Sequence, residues 1–426
     1  MKKNKTLIKR FWRVFYSPIK ITVRSIKRSI KIRKNAKIAK IAGIKLTNWN
    51  ITNITNSLNE IGFGDDDFVI ISNIFYDISG SFCWNGGSER YYKDLSEVIT
   101  STTKKKVVII QLICKELIIK KDLHYLFLTI KGTDNPKFHQ DILNRVLKNT
   151  NIVISDIGII MNLISRQVKI SHGICFDRNG LLQNYNNQQL ISLTNSIKEA
   201  EIFVSVDAVT ISFFAALMGK ELYKNSIYIP NYYNQSTFIK KENQDGNLTI
   251  LYPRRLSEER GFEMMLEISK EIMLSHGIKI IFCGNGQEIE VEKVRNLVSE
   301  FPFLCRHLVL KPEEMDIIYQ ESDIVVIPTQ YSEGTSLSCI EAMGNGKAII
   351  TTYVGGLSNL VINNYNGILC STNKSDIKNS IIELIENEDL RIKLSSNAKL
   401  VSQSFSKDMW KKNWESVLLK FNPNSK

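Results

Sequence analysis

The body of the chain alternates between two kinds of hydrophobic pattern. From Phe68 onward, short runs of β-branched and other apolar residues alternate with longer stretches whose apolar residues recur at helical spacing. The short runs are typical of buried strands and the longer stretches of amphipathic helices. Strands that alternate with helices favour parallel sheets, because parallel strands need a crossover connection. The pattern therefore predicts an α/β protein.

The predicted strands form two groups of similar size. A polar stretch at 234–247, rich in Asn, Gln, Lys and Glu, separates the groups and predicts an interdomain connection. The first group comprises residues 68–72, 107–111, 125–130, 151–155, 168–171 and 202–206. The second group comprises residues 248–252, 279–283, 307–310, 324–327 and 348–352.

These groups set the predicted domain organisation. An N-terminal Rossmann-like domain spans 60–235, a linker spans 236–247, and a C-terminal Rossmann-like domain spans 248–403. The final segment, 404–426, carries apolar residues near helical spacing and predicts a helix that docks one face. Those residues are Phe405, Met409, Trp410, Trp414, Val417 and Leu418.

The composition excludes several classes of protein. The chain has 426 residues, of which 43% are hydrophobic and 23% charged, a balance typical of a globular body. It has no apolar run near the roughly 20 residues that cross a bilayer, and no signal-peptide core. The seven cysteines are scattered singly and the five histidines are dispersed, so we expect reduced thiols and no metal centre. These features predict a cytoplasmic location.

Positive charge is concentrated in the first 59 residues, which we call the leader. The formal net charge is +13, yet 16 Lys and Arg residues precede Glu60, the first acidic residue. The rest of the chain holds 40 basic and 43 acidic residues. The body is therefore slightly acidic, and we expect no nucleic-acid partner.

The leader has an amphipathic pattern that predicts two short basic helices. Phe11, Trp12 and Phe15 suit insertion into a membrane interface, and the basic residues suit an anionic lipid surface. Residues 1–45 therefore predict peripheral attachment to the inner face of the plasma membrane. Two alternatives remain open: helices packed on the protein's own surface or a partly disordered tail, and phosphate contacts to a nucleic acid.

A glycine-containing turn follows the predicted strand 324–327 and leads into a helix. Gly334 lets the backbone approach a ligand closely, and the free amides at the helix start favour an anion such as phosphate. Glu333 precedes the helix and Glu341 lies within it, so the two carboxylates can reach opposite ends of one ligand, such as a sugar and a ribose. The amides are those of Thr335, Ser336, Leu337 and Ser338.

Two arginines lie in the loop that follows the first strand of the second group. Arg255 and Arg260 are five residues apart across a turn, so both guanidinium groups can converge on a diphosphate. The alternative is a pair of solvated arginines in a charged loop.

Four motifs occur in the order found in one enzyme family. They are Arg255 with Arg260 before Gly261, the glycine loop of Gly284 and Gly286, Glu333 with Glu341 after seven intervening residues, and the pair Gly355 and Gly356. The second half thus resembles the donor-binding domain of glycosyltransferase family 4. This resemblance implies the GT-B fold, in which two Rossmann-like domains face a central cleft, here with a basic helical leader. The leader lies outside the resemblance.

The first half resembles the same family at two short motifs. Gly86 and Gly87 resemble paired glycines that approach the donor phosphates or the acceptor, although paired glycines are also common in simple turns. His172 resembles a histidine that faces the transferred sugar, and a structural histidine is the alternative. Residues 230–234 depart from the family pattern, since the usual Gly and Asp are replaced by Tyr232 and Asn234.

The resemblance implies a metal-independent, retaining transfer of sugar from a nucleotide-diphosphate sugar to a glycan or lipid-linked acceptor, in cell-surface polysaccharide synthesis. No cofactor is expected. Glu341 would bind the ribose, Glu333 the sugar, and Arg255 with Arg260 the diphosphate. Two rival functions remain: another GT-B enzyme such as a nucleotide-sugar epimerase or a phosphorylase, and a membrane-associated, non-catalytic sugar-binding or scaffold protein.

Overall fold

The fold is described from a computed structural model of the chain. The described residues are 45–47, 56, 58–60, 62–64, 66–72, 87–114, 117–121, 126–131, 143, 144, 147, 150, 152–159, 166–173, 187–234, 247–331 and 333–421. The predicted leader helices, Gly86 and nearly all of the predicted linker lie outside these residues.

The chain divides into two compact units. The first comprises Met1–Thr100, Lys104–Val153 and Leu163–Ser165. The second comprises Ser101–Thr103, Ile154–Asn162 and Arg166–Lys426. The domain boundaries derived from the sequence stay predictions.

The described part of the first unit contains a mixed sheet and a long helix. Its strands are β1 (Lys45–Thr47), β2 (Phe68–Ser72), β3 (Val107–Cys114), β4 (Leu117–Lys121) and β5 (Leu126–Lys131), in the order β1-β4-β5-β3-β2. β2, β3 and β5 are parallel neighbours, whereas β4 pairs antiparallel with both β1 and β5. Helix α1 (Gly87–Thr103) lies between β2 and β3 in the chain, and its last three residues, Ser101–Thr103, are assigned to the second unit.

Helix α1 is amphipathic and has a fully buried stripe. Leu95 and Ile99 follow the adjacent Tyr91 and Tyr92 at spacings of three to four residues, and all four have at most 1% of their surface exposed. Such a stripe buries one face of the helix, and burial of a large apolar side chain stabilises the fold by about 1.5–3 kcal/mol.

The second unit begins with the end of a strand and three further parallel strands. β6 (Ile152–Asp156) starts in the first unit and ends in the second. β7 (Arg166–Ser171) pairs parallel with β8 (Ile202–Ser205), and β8 with β9 (Ser226–Tyr228). The helices of this region are α2 (Asn187–Lys198), α3 (Ala208–Met218) and α4 (Leu222–Asn225).

The remainder of the second unit is built on a six-stranded parallel sheet. Its strands are β10 (Thr249–Tyr252), β11 (Lys279–Cys283), β12 (Cys305–Leu308), β13 (Ile324–Ile327), β14 (Ala348–Thr352) and β15 (Ile368–Cys370), in the order β12-β11-β10-β13-β14-β15. The helices are α5 (Phe262–His276), α6 (Glu288–Glu300), α7 (Met315–Gln320), α8 (Leu337–Gly344), α9 (Lys374–Glu386), α10 (Glu388–Ser402) and α11 (Lys407–Leu419). The strand order changes direction at β10, and ligands of open α/β sheets bind at such a point.

Both faces of this sheet are covered by apolar side chains. Ile250 and Tyr252 of β10 belong to one buried cluster, and Leu251 between them belongs to the cluster on the other face. Because both faces are covered, β10 and β13 consist of buried residues throughout. In the register of these two strands, Leu251 lies opposite Val325, so the loops after Tyr252 and after Ile327 leave neighbouring strand ends.

The strand predictions agree well with the structure. Each predicted strand overlaps an observed one, and β2, β11, β13 and β14 have the predicted bounds. β12 lies two residues earlier than predicted, because Cys305 pairs with Ile280 of β11. The strands β1, β4, β9 and β15 were not predicted.

The predicted C-terminal helix is present as α11, after a 3-10 turn at Gln403–Phe405. Trp410 packs on Tyr232 with ring centroids 4.6 Å apart. The Arg166 guanidinium carbon lies 4.5 Å from the centre of the Phe421 ring. The helix and the residues that follow it thus contact residues before the predicted linker.

Two further expectations concern burial and membrane crossing. Cys283, Cys305, Cys339 and Cys370 are buried free thiols, as predicted. Within the described ranges, no helix combines the length and apolar character required to cross a membrane.

Candidate functional site

The candidate site lies at the carboxyl ends of β10 and β13. The loop after β10 carries Arg254, Arg255 and Arg260, and the turn after β13 carries Glu333 and Gly334. Neighbouring parallel strands bring these loops together, at the point where the strand order reverses.

Glu333 is the centre of a buried charge cluster. Its side chain is 9% exposed, and its Oε2 accepts a hydrogen bond from Arg260 Nη1 at 3.0 Å and another from Thr329 Oγ1 at 3.0 Å. Arg254 Nη2 donates to the same oxygen. Among the described residues, none donates a hydrogen bond to Oε1. The protein therefore fixes this carboxylate through one of its two oxygens.

The two predicted arginines have different environments. Arg260 reaches Glu333, and burial together with the neighbouring Arg254 lowers the pKa of its guanidinium. Arg255 has a side chain that is 56% exposed, and its Nη1 lies 4.0 Å from Glu259 Oε1. The structure therefore brings Arg260, but not Arg255, into contact with Glu333. A shared diphosphate contact by both arginines stays a prediction.

Arg254 was missed by the sequence analysis. Its guanidinium is buried and also bonds Ser336 Oγ at 3.0 Å, at the start of α8. The available signal was the Arg-Arg doublet two residues after β10. Sequence spacing alone does not show which of two adjacent arginines points inward.

The start of α8 has the features of an anion site. Ser336 is the N-cap residue, and the helix begins without a hydrogen bond from a side-chain cap. Ser338 Oγ donates to Pro253 O at 2.8 Å, and Thr335 Oγ1 donates to Val206 O. The hydroxyl groups thus hold the turn, and the amides from Thr335 to Leu337 can face an anion.

Glu341 lies inside α8, next to a buried tyrosine. Tyr319 Oη lies 3.2 Å from Glu341 Oε2 and 3.2 Å from Ser338 O. Burial and the Glu341 carboxylate raise the pKa of Tyr319, which keeps the phenol protonated as a donor. Tyr319 therefore orients Glu341.

Gly334 sits in a position that excludes a larger residue. A Cβ at Gly334 would collide with His172 O, and a Cβ at Gly173, where φ is +105°, would lie 2.7 Å from Gly334 Cα. The Gly355–Gly356 loop contacts the same turn, since Gly356 N donates to Glu333 O at 3.0 Å. The backbone around Gly334 is thus enclosed from two sides.

His172 follows β7 and lies against this turn. His172 Nε2 is 3.2 Å from Asp156 Oδ1, at the end of β6. The backbone carbonyl of His172 lies beside Gly334, so the histidine adjoins the Glu333–Gly334 turn within the second unit. Its contact with a sugar stays a prediction.

The remaining predicted site residues are the loop glycines. Gly284 and Gly286 flank Asn285, whose carbonyl accepts from Leu256 N at 2.8 Å, so this loop contacts the arginine loop. Gly87 begins helix α1 in the first unit. Gly86 lies outside the described residues.

In the described part of the chain, no group of three or more His, Cys, Asp or Glu residues could hold a metal ion. The cations nearest Glu333 are the guanidinium groups of Arg254 and Arg260. The expectation of a metal-free site stays a proposal.

Fold comparison defines the class of protein. The Anabaena protein HepE, solved in complex with UDP, matches with a TM-score of 0.62 at 14% identity, over 83% of this chain and 100% of HepE. The likeness shows the fold: two Rossmann-like domains of the GT-B type, as predicted. Residues 234–401 match the family described as Glycosyl transferases group 1. The narrower assignment to family 4 stays a prediction.

Two relatives resemble part of the chain. One is an uncharacterised glycosyltransferase of Methanocaldococcus jannaschii, 34% identical over 158 residues, which cover 36% of this chain and 42% of that protein. The other is the lipopolysaccharide 1,2-N-acetylglucosaminetransferase of Salmonella typhimurium, 28% identical over 221 residues, 46% of this chain and 55% of that protein. The chain thus spans about half the length of each relative.

Proposed function

We propose that the protein is a retaining glycosyltransferase that moves a sugar from a nucleotide-diphosphate sugar to a glycan or lipid-linked acceptor. The observation that carries the proposal is the cluster at the ends of β10 and β13. There Glu333, two arginines and the uncapped start of α8 meet. Cations and amides suit a pyrophosphate, and a carboxylate oxygen suits a sugar hydroxyl.

The leaving group determines what the cations do. Cleavage of the donor leaves a nucleoside diphosphate with developing negative charge, which a metal-independent enzyme stabilises with fixed cations and amides. Arg260, Arg255 and the first amides of α8 would act most strongly in the transition state. Removal of one such group is expected to cost about 2.7–4 kcal/mol, as for other preorganised donors.

The carboxylates and the histidine would orient the donor. Glu341, held by Tyr319, would accept hydrogen bonds from the ribose hydroxyls, and Glu333 Oε1 from the sugar. His172, beside the Glu333–Gly334 turn, would face the transferred sugar.

A front-face reaction retains the anomeric configuration. The bond between the anomeric carbon and the phosphate oxygen breaks with its electron pair on that oxygen. The acceptor oxygen then bonds to the same face, and its proton passes to the departing phosphate. No protein nucleophile is required, in contrast to a covalent route.

The relatives support the substrate classes in this proposal. HepE is solved with UDP, and the Salmonella relative is named as a lipopolysaccharide N-acetylglucosaminetransferase. We therefore propose that the donor is a uridine-diphosphate sugar. We also propose that the acceptor belongs to cell-surface polysaccharide synthesis.

A thermal-shift screen of UDP, GDP and dTDP first identifies the nucleotide that binds. The activity is then measured as release of that nucleotide from its nucleotide sugars in the presence of an acceptor. We expect one nucleotide to raise the melting temperature, transfer to continue in EDTA, and NMR to show a product with the donor's anomeric configuration. Glu341→Ala should weaken nucleotide binding. Binding without any transfer would favour the non-catalytic sugar-binding alternative, and conversion of the donor without acceptor would favour an epimerase.

The leader would hold the enzyme at its acceptor. We propose that residues 1–45 bind an anionic membrane surface at the inner face of the plasma membrane, since 16 basic residues precede the first acid. Deletion of residues 2–45 should abolish flotation with anionic liposomes and reduce transfer to a lipid-linked acceptor, while transfer to a water-soluble acceptor continues. Equal flotation of both proteins would refute this role.

A further inference from the structure

Five charged side chains at the site alternate in sign. Arg254 contacts Glu333, and Glu333 contacts Arg260 at 3.0 Å. Arg260 Nε lies 3.9 Å from Glu259 Oε1, and Arg255 Nη1 lies 4.0 Å from the same oxygen. These five side chains form a row in the order Arg254, Glu333, Arg260, Glu259 and Arg255. The row begins and ends with an arginine, so it has one more cation than anions.

Arg254 is the arginine at the buried end of this row. Without it, Glu333 would be matched by Arg260 and Glu259 by Arg255, and the four remaining charges would cancel. When Arg254 also binds Glu333, the single negative charge of this carboxylate is shared between Arg254 and Arg260. Less of the positive charge of Arg260 is then neutralised. Because this end of the row is buried, the charges are weakly screened, and the pairing of Arg254 with Glu333 strongly affects how much of the Arg260 charge stays available to an anion.

The geometry of Arg254 favours a role in the site over a role in stability. Its Nη1 bonds Ser336 Oγ while its Nη2 bonds Glu333, so one planar fork joins the carboxylate to the start of α8. Its Nε is buried and has no hydrogen-bond partner among the described residues. A buried ion pair with an unsatisfied donor contributes little to stability.

From this arrangement we infer that Arg254 is a positioning residue for glycosyl transfer. It fixes and neutralises Glu333 through Oε2, which leaves Oε1 for the sugar and leaves the positive charge of Arg260 for the pyrophosphate. Arg254 itself need not touch the donor. This inference rests on the proposed function and adds a residue to it.

The test compares Arg254→Met with Arg255→Met, in the wild-type protein and in Glu333→Gln. Both substitutions remove one cation from the same loop, but only Arg254 contacts Glu333. The measurements are calorimetric affinity for whichever of UDP, GDP and dTDP binds, and kcat and KM for its sugar. In the wild-type background we expect Arg254→Met to weaken nucleotide binding and lower kcat/KM, the latter roughly 10- to 100-fold.

The Glu333→Gln background distinguishes the effects of the two arginine substitutions. Glutamine carries no charge to neutralise, so Arg254→Met should have little further effect there, whereas the loss from Arg255→Met should persist. Equal losses from Arg254→Met in both backgrounds, or no loss in either, would overturn the inference. Failure of the wild-type chain to bind any of the three nucleotides would instead overturn the proposed function, and the inference with it.

A conservative variant, Arg254→Lys, keeps the inference testable if Arg254→Met misfolds. Arg254→Lys keeps the charge but lacks the planar fork, so we expect nucleotide affinity within about threefold of wild type and a larger fall in kcat. Thermal melting and circular dichroism establish that each variant is folded. If Arg254→Met does not fold, Arg254→Lys and Arg255→Lys are compared in the two backgrounds, and an unchanged kcat in Arg254→Lys would overturn the inference.

Discussion

Asp156 and His172 meet at the ends of two neighbouring segments of the second unit, with Asp156 Oδ1 3.2 Å from His172 Nε2. A carboxylate this close to an imidazole nitrogen favours one orientation of the ring through its charge. Because His172 also lies against the Glu333–Gly334 turn, this contact connects the histidine motif to the candidate donor site.

Replacement of Asp156 by Asn should lower the rate of sugar transfer. The amide cannot form the charge-assisted contact, which is worth about 1.5–3 kcal/mol, so we expect kcat/KM to fall roughly 10- to 100-fold. Steady-state kinetics of Asp156→Asn, His172→Ala and the double variant check the result. If Asp156 acts through His172, the double variant is no worse than His172→Ala.

Asp66→Asn is the matched control for this prediction. Asp66 forms an exposed contact with Lys105 at 3.0 Å, and exposed pairs contribute little. We expect unchanged kinetics. Multiplicative losses in the double variant of Asp156 and His172 would show that Asp156 acts independently.

Tyr319→Phe should weaken nucleotide binding without unfolding the protein. The change removes the hydroxyl that bonds Glu341 Oε2 and Ser338 O, both at 3.2 Å. Loss of one or two hydrogen bonds of about 1 kcal/mol each predicts a rise of roughly 5- to 30-fold in the nucleotide dissociation constant, measured by calorimetry. Tyr223→Phe, on an exposed tyrosine, should leave the constant unchanged. Equal affinity of Tyr319→Phe and wild type would refute an orienting role.

Gly334→Ala should disrupt the site, whereas Gly158→Ala should not. A Cβ at Gly334 collides with the carbonyl of His172 and lies 3.0 Å from Val206 Cγ2, while a Cβ at Gly158 meets nothing within 4 Å. Overpacking of this kind costs about 1–3 kcal/mol. We expect a lower melting temperature and little transfer for Gly334→Ala, measured beside Gly158→Ala. Normal activity of Gly334→Ala would show that the turn can move aside.

The sequence predicted the second sheet well because parallel strands are buried on both faces. Strands such as β13, with four buried apolar residues, stand out against polar loops. β4 was missed because it pairs antiparallel with β1 and β5 and so breaks the strand-helix alternation. β9 and β15 were missed because each has only three residues.

The site was predicted in part for a similar reason. Motif spacing singled out Glu333, Glu341 and Arg260, and the structure places Arg260 in contact with Glu333. Arg254 was not predicted as a site residue because its inward orientation depends on Ser336 and Thr329, which lie about 80 residues later in the chain. Asp156 was not predicted because no residue near His172 in the sequence indicates which side chain lies beside the histidine. Contacts between distant loops follow from the sheet register and not from local patterns.

Lys169 should make the stability of the protein depend on pH in the alkaline range. Its ammonium is buried in β7, where it donates to Ser155 Oγ at 3.0 Å and to Ile159 O at 2.6 Å. Burial lowers the pKa of Lys169 from the ordinary value of 10.5 to about 8, although the carboxylates of Glu199 and Asp156 oppose the shift. Below pH 8 the group is protonated in both the folded and the unfolded chain, so the cost of burial is present in full.

Between pH 8 and 10.5 the folded chain releases this proton while the unfolded chain keeps it. The free energy of unfolding should therefore rise with pH, by about 2 kcal/mol between pH 7 and 9.5 at about 1.4 kcal/mol per pH unit. Urea unfolding at the two pH values measures the rise in wild type, in Lys169→Met and in Lys105→Met, which alters an exposed lysine. We expect the rise in wild type and Lys105→Met and its loss in Lys169→Met; the same rise in all three proteins would assign it to other groups.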